Sequence, residues 1–135
     1  MKKLHLLFAL AFASSTAFAQ TTWTLDKAHA KLGFNITHLL VSEVDGSFKN
    51  FDAKIVTTKD DFSNANIELT ADVATIDTDN ADRDKHLTSP DYFDAAKYPT
   101  ITFKSKSFTK VDGKKYKLAG DLTMHGVTKP VVLDV

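Results

Sequence analysis

The chain has 135 residues, no cysteine and a formal net charge of zero, with 17 basic and 17 acidic side chains. The absence of cysteine excludes disulfides, thiol catalysis and thiolate metal sites. The balanced charge argues against nucleic acid as a partner, because nucleic-acid-binding domains are usually strongly basic. The length is that of about one domain.

Residues 1–19 have the composition of a secretory signal peptide. Two lysines follow the first methionine, the run Leu4–Phe12 is apolar except for one histidine, and Ala17–Ala19 places alanine at both positions that signal peptidase reads. An apolar run this short does not span a bilayer, so a transmembrane anchor is the weaker alternative. We therefore predict cleavage before Gln20, export to the periplasm and a single soluble domain over residues 20–135.

After the predicted cleavage site, apolar and polar residues alternate with the period of two that is typical of half-buried β-strands. The phase of the alternation changes between Phe48 and Phe51, which predicts a bulge near Asn50. The pattern predicts an all-β protein with six antiparallel strands, over residues 22–37, 44–58, 65–76, 100–110, 115–124 and 129–135.

Three dipeptides have the composition of turns: Asp45-Gly46, Asp112-Gly113 and His125-Gly126. The second lies between two alternating runs and predicts a hairpin. Six antiparallel strands with one apolar face need to close on themselves or find a partner sheet. A barrel that holds a small ligand has about eight strands, so we expect an incomplete, C-terminally truncated barrel. Its open edges would allow two copies to pair as a homodimer.

One segment departs from the alternation. Asp77 or Thr78 can cap a helix, and Ser89-Pro90 has the composition of a second helix start. Tyr98-Pro99 then forces an extended exit, because the residue before proline avoids the helical region. We predict short helical turns between the third and fourth strands, from Asp79 to Ala96, covering one end of the sheet.

The apolar side chains of the predicted strands should all face one side of the sheet. Such a face either packs as an ordinary core or lines a channel for an apolar ligand, and the periodicity alone favours the core. The residues are Leu32, Phe34, Ile36, Ile67, Leu69, Val73, Ile101, Phe103, Leu118 and Leu122.

The polar candidates are the histidines and the single arginine. No two histidines have the spacing of a zinc motif, and no GxSxG motif marks a serine nucleophile, so we expect no metal, cofactor or catalytic site. The odd separation of His29 and His38 places them on opposite faces of a regular strand. Arg83 either ties the helical segment to the sheet or meets an anionic head group, and the tie is favoured. His29, His38 and His86 are the other candidates for a head-group or structural role.

Seven short motifs occur in one order along residues 20–135. They are Trp23-x-x-Asp26-x-x-His29-Ala30, Phe34-x-x-x-His38, Gly46-x-Phe48, Thr75-Ile76-Asp77-Thr78, Arg83-Asp84-x-His86-Leu87, Tyr98-Pro99-x-Ile101-x-Phe103 and Gly120-Asp121-Leu122-Thr123-x-His125-Gly126-Val127-Thr128-Lys129-Pro130. Any one of them alone would be weak. Together they resemble the YceI-like family of exported, lipocalin-like proteins, although Thr75 stands where serine is common in that family.

The resemblance implies an antiparallel barrel whose apolar interior holds a long isoprenoid chain. It therefore implies a periplasmic binding or carrier protein for a polyisoprenoid or a similar lipid. It also implies closing strands that would follow the last residue of this chain. Two other functions stay open: a lipidic-ester hydrolase that uses a histidine and an aspartate, and a secreted stress-related protein without a ligand.

Overall fold

The computed structural model describes residues 20–38, 42–63 and 65–135, so the predicted signal peptide lies outside the described residues. The described residues form nine strands, one α-helix and one 3-10 turn. In chain order these are β1 (Thr21–Thr24), β2 (Leu32–His38), β3 (Ser42–Phe48), β4 (Phe51–Thr57), β5 (Asn66–Asp72), the 3-10 turn Val73–Thr75, β6 (Ile76–Asp77), α1 (Ala81–Leu87), β7 (Thr100–Asp112), β8 (Lys115–Met124) and β9 (Val127–Asp134).

The strands form two antiparallel sheets. The larger sheet has six strands in the order β1-β4-β5-β7-β8-β9, and the smaller has three in the order β2-β3-β6. The prediction of an all-β antiparallel fold is confirmed. The described strands do not close into one barrel, however, and there are nine of them rather than about six.

Three of the predicted strands, 22–37, 44–58 and 65–76, each cover parts of two strands that belong to different sheets. The run 22–37 is broken by a turn in which the Asp26 carboxylate accepts a hydrogen bond from the Ala28 N–H at 3.0 Å. The same residue's carbonyl oxygen accepts from the His29 N–H at 3.1 Å. The run 44–58 is broken at Lys49-Asn50. The phase of the alternation changes at both breaks, but a change of phase does not show that the chain passes from one sheet to another.

The break at Lys49-Asn50 is one side of a bend in a long strand pair. Phe48 pairs with Ile76 in the smaller sheet, and Phe51 pairs with Ala71 in the larger one. Residues 49–50 therefore lie opposite residues 72–75. The longer segment contains the 3-10 turn Val73–Thr75, which takes the place of the predicted bulge near Asn50. The strand pair β3-β4 against β5-β6 thus passes from one sheet into the other.

Hydrogen bonds from both strands hold this bend. The Lys49 N–H donates to the Thr75 carbonyl at 3.0 Å, and the Asp72 N–H donates to the Asn50 carbonyl at 2.9 Å. The Thr75 hydroxyl donates to the Asp72 carbonyl at 2.8 Å and accepts from the Asn50 N–H at 3.0 Å. The Asp72 carboxylate caps the 3-10 turn by accepting from Ala74 N–H. One threonine hydroxyl therefore joins the two strands where they change direction.

The N-cap of helix α1 lies two or three residues after the predicted caps at Asp77 or Thr78. Asn80 is its N-cap, and the Asn80 side chain accepts from the Arg83 N–H at 3.0 Å. At Ser89-Pro90, where a second short helical turn is predicted, the structure has no helix but a turn in which the Tyr92 N–H donates to the Ser89 carbonyl at 3.1 Å. Residues 88–97 form turns that fold back on the end of α1, where the Phe93 N–H donates to the Leu87 carbonyl at 3.0 Å.

Two of the three predicted turns are confirmed. Gly113 begins the loop of the β7–β8 hairpin with φ 51°, and His125 and Gly126 both have positive φ in the β8–β9 hairpin. Positive φ at both central residues is the geometry that suits a two-residue hairpin loop. Asp45-Gly46 is not a turn, because both residues pair with β2 inside β3. Gly46 leaves the space that the Phe34 ring occupies.

The core lies where the smaller sheet and α1 cover one end of the larger sheet. Its buried residues are Phe48, Ala71, Val73, Ile76 and Ile101, and Leu32, Phe34, Leu87, Phe93 and Leu122 are among those packed against them. Nine of the ten apolar residues predicted to share one face are buried or half-buried. Ile36 is the exception, with 56% of its surface exposed. It lies beyond Phe34 on β2, where its neighbours Asn35 and Thr37 are exposed as well.

Removing the Thr75 hydroxyl should loosen the bend. Thr75→Val keeps the shape of the side chain but leaves the Asn50 N–H without its acceptor, so we expect a loss of about 1–2 kcal/mol of unfolding free energy. Thr75→Ser keeps both hydrogen bonds and should cost less than half as much. Urea unfolding measures both variants, with the exposed Thr70→Val as the control. Equal stability of the valine and serine variants would contradict this role of the hydroxyl.

Candidate functional site

One face of the six-stranded sheet is apolar across five of its strands, from β1 to β8. Directly paired residues of antiparallel strands point to the same face, and Trp23 pairs with Ile55, which pairs with Ile67. In the same way Leu69 pairs with Phe103, and Phe103 pairs with Leu122. We call this surface the inner face and define it by Trp23, Ile55, Ile67, Leu69, Phe103, Leu118 and Leu122.

The inner face is filled at one end; at the other end it is open along β1 and β5, whereas Thr57 on β4 and Leu118 on β8 are buried. At the filled end Ala71 is 0% exposed and Val73 is 1% exposed, because the smaller sheet and α1 pack against them. Along β5 the next inward residues, Leu69 and Ile67, are only half-buried. Trp23, at the far side of the same face, keeps 53% of its surface exposed. An apolar ligand could therefore add burial to the open end without displacing the core.

Two hollows of about 300 Å³ each lie at the ends of this face. The first, beside Trp23, is also lined by Phe62, whose ring centroid lies 5.8 Å from that of Trp23. The second lies at the covered end and is lined by Asp91, Tyr92, Phe93, Met124 and His125. The first hollow continues the inner face, since Thr57 pairs with Thr21 on the same side as Ile55.

Arg83 binds the chain at the start of its own helical segment. Its Nε donates to the hydroxyl of the buried Thr78 at 2.7 Å, and its Nη2 donates to the Thr78 carbonyl at 2.7 Å. The Thr78 N–H and hydroxyl both donate to the Asp84 carboxylate, at 2.9 and 2.6 Å. The guanidinium therefore links α1 to the end of β6. Of the two roles considered for Arg83, this contact corresponds to the tie between the helical segment and the sheet.

His29 and His86 lie in exposed positions outside the inner face. His29 Nδ1 is 2.8 Å from the Asp26 carboxylate, and this hydrogen bond holds the pKa of Asp26 below its ordinary value. His86 packs its ring edge-on against Tyr92 with centroids 4.8 Å apart, and its Nε2 is 4.0 Å from the Asp91 carboxylate. The side chain of His38 lies outside the described residues. The described structure thus gives His29 and His86 polar or aromatic neighbours of their own.

Trp23, Ile55 and Phe62 were missing from the predicted lining. Trp23 and Ile55 alternate with polar neighbours in their strands, so the period of two already placed them with the other apolar residues. Phe62 lies in the loop between β4 and β5, where no periodicity applies. Only the folded loop brings its ring to the inner face.

Within residues 20–38, 42–63 and 65–135, no three histidine, aspartate or glutamate side chains converge as metal ligands do. No helix among the same residues combines the length and the apolar composition that crossing a membrane requires.

The comparison with known families decides the relationship. A model of the YceI-like domain matches residues 23–135. The chain belongs to the YceI-like family. The resemblance in the sequence motifs is confirmed by this match. Among curated relatives, a UPF0312 protein of Photorhabdus laumondii is 42% identical over 122 residues, which cover 90% of this chain and 63% of the relative. This YceI-like chain thus spans just under two thirds of that relative's length.

Solved structures support the fold. BcnA of Burkholderia cenocepacia superposes with a TM-score of 0.75 at 28% sequence identity, covering 82% of this chain and 69% of BcnA. A polyisoprenoid-binding domain from Saccharophagus degradans, implicated in plant cell wall breakdown, superposes with a TM-score of 0.52 at 18% identity, covering 88% of this chain and 63% of the domain. At 18% identity the second likeness shows the fold alone.

Replacing Arg83 should weaken the fold of this YceI-like chain. Arg83→Ala removes two hydrogen bonds to the buried Thr78, and we expect a loss of about 1–3 kcal/mol of unfolding free energy. The matched control is Lys85→Ala, an exposed basic residue of the same helix, which should change stability by less than about 0.5 kcal/mol. Chemical denaturation compares them. If the two variants are equally stable, the tie between α1 and β6 is not needed.

Proposed function

We propose that this YceI-like chain binds a long-chain polyisoprenoid or a similar lipid on its inner face and carries it in the periplasm. The observation that carries the proposal is the apolar inner face itself. It runs from Trp23 to Leu122 across five paired strands. At its open end Ile55 and Ile67 are half-buried and Trp23 keeps 53% of its surface exposed. The polyisoprenoid-binding domain of Saccharophagus degradans has a similar fold, which agrees with this ligand class.

The physics of a long apolar chain suits such a surface. Burial of apolar area contributes roughly 25 cal/mol per Å², and drug-sized ligands gain about 0.3 kcal/mol per heavy atom. Each five-carbon isoprene unit then contributes about 1.5 kcal/mol. Affinity therefore grows with the length of the ligand chain and needs no charged residue on the inner face. We propose binding without chemical turnover, since the two His–Asp pairs of the described residues lie in exposed positions outside the inner face.

The outer edge of β9 supports pairing of two copies as a homodimer. Tyr116 and Val135 exchange both backbone hydrogen bonds, so every second residue of β9 bonds to β8. The alternate residues Thr128, Pro130, Val132 and Asp134 direct their backbone groups outward. Within the described residues no strand lies beside this edge, and an unpaired edge is a template for strand pairing.

The proposal includes export through the signal peptide of residues 1–19. We expect the protein recovered from the periplasm to begin at Gln20, because signal peptidase would cut after Ala17-Phe18-Ala19. N-terminal sequencing tests this. Periplasmic protein that still begins at Met1 would contradict the cleavage, and protein found only in the cytoplasm would contradict the export.

A polar side chain in the inner face should reduce lipid binding. Leu69→Asn places an amide without a predicted partner where the ligand would lie, and we expect at least about a tenfold loss of affinity for a fluorescent polyprenyl analogue. Thr70→Asn, on the exposed face of the same strand, is the matched control and should bind as the wild type does.

Circular dichroism establishes that both variants are folded, and sedimentation of the same samples measures the proposed pairing. Wild-type protein that does not bind the analogue would contradict the proposed function. Equal affinity of the Leu69 and Thr70 variants would show that the ligand does not occupy the inner face.

A further inference from the structure

We propose that Trp23 and Phe62 form the mouth of the lipid site and hold the part of the ligand chain next to its polar head. This inference rests on the proposed function. It assigns a direction to the ligand: the head at the open end beside the two rings, and the far end of the chain toward the core.

The packing at the other end of the inner face sets this direction. Ala71 and Val73 have almost no exposed surface, and the smaller sheet and α1 cover them. A chain cannot pass there without displacing buried side chains. Trp23 lies on the same face, directly opposite Ile55, yet half of its surface is exposed. A ligand that moves along the strands therefore reaches the inner face from the end at which Trp23 lies.

The loop that carries Phe62 is held in an unfavourable conformation. Phe62 has φ 57°, a left-handed conformation that is uncommon for a bulky residue. Three hydrogen bonds fix it: the Phe62 N–H donates to the Lys59 carbonyl, the Ala65 N–H donates to the Phe62 carbonyl, and the Ser63 N–H donates to the Asp61 carboxylate. The last of these bonds is the main reason that the pKa of Asp61 lies below its ordinary value.

The result of this loop conformation is a ring pair. The Phe62 ring lies against Trp23 at a centroid distance of 5.8 Å and an angle of 49°. Strained backbone at a ligand site is a recurrent way of positioning a contact group. Here it positions an aromatic wall opposite Trp23, at the point where the inner face opens.

The hollow beside the two rings has the polarity that the head end of a lipid needs. It encloses about 300 Å³, and its lining includes the polar residues Thr21, Lys59 and Asp60 as well as the two rings. The first isoprene units can contact the rings while the polar head stays at the hydrated rim. The ligand class is therefore a long apolar chain with a small polar head.

Trp23 is the only tryptophan of the chain, so its fluorescence reports directly on the mouth. The probes are geraniol, farnesol and geranylgeraniol, which have two, three and four isoprene units, and the fluorescent polyprenyl analogue. If the head end lies at the mouth, the shortest alcohol should already give the full change in Trp23 emission at saturation. Longer alcohols should bind more tightly without a larger change. A change that appears only with the longest chain would overturn the proposed direction.

Variants of the two rings test the contact itself. Trp23→Ala and Phe62→Ala should each lower affinity for short and long probes by a similar factor of about ten. The double variant should lose little more than one single variant, because neighbouring groups that act together are not additive. Trp23→Phe should retain most of the affinity. Tyr92→Ala, equally exposed at 52% but at the covered end, is the matched control and should bind like the wild type.

Failure of this inference is distinguishable from failure of the proposed function. If the wild type binds none of the probes, the lipid-binding proposal is wrong. If it binds them while the Trp23 and Phe62 variants bind equally well, the lipid lies elsewhere on the protein and the two rings are an ordinary surface cluster. Thermal unfolding of each variant establishes that a loss of affinity does not come from unfolding.

Discussion

Where β3-β4 runs against β5-β6, the two residues 49–50 lie opposite the four residues 72–75. The rest of the structure depends on this difference in length. The additional residues form the 3-10 turn Val73–Thr75, and the Thr75 hydroxyl bonds to both strands across it. The strand pair therefore changes direction and continues as a second sheet. That sheet lies over one end of the first and supplies Phe48 and Ile76 to the core.

The same bend explains why one end of the apolar inner face stays accessible. Because the smaller sheet covers only one end of the larger one, burial is complete at Ala71 and falls toward Ile67 and Trp23. A fold that closed uniformly would have an ordinary core along its whole length. Here one end of the apolar face supplies stability and the other remains accessible. This division supports a role in holding an apolar chain in a member of the YceI-like family.

The sequence predicted what depends on local periodicity and turn chemistry. Alternation predicted antiparallel strands and nine of ten inward residues, and glycine at a hairpin position predicted the turn at Asp112-Gly113. It could not predict that the changes of phase near Asp26 and Asn50 are changes of sheet, since the period of two does not record which sheet a strand belongs to. Ile36 was misplaced because exposure at the end of β2 depends on packing between sheets. Phe62 was missed because its position comes from loop hydrogen bonds.

The central claim is that the inner face holds a long-chain isoprenoid lipid in the cell. Organic extraction of the protein purified from the cells that make it, followed by mass spectrometry, tests this most directly. The account predicts a long-chain isoprenoid lipid in near-stoichiometric amount, and much less of it from an equal quantity of folded Leu69→Asn protein. Wild-type protein that yields no lipid, or the same lipid in equal amount from both proteins, would contradict it.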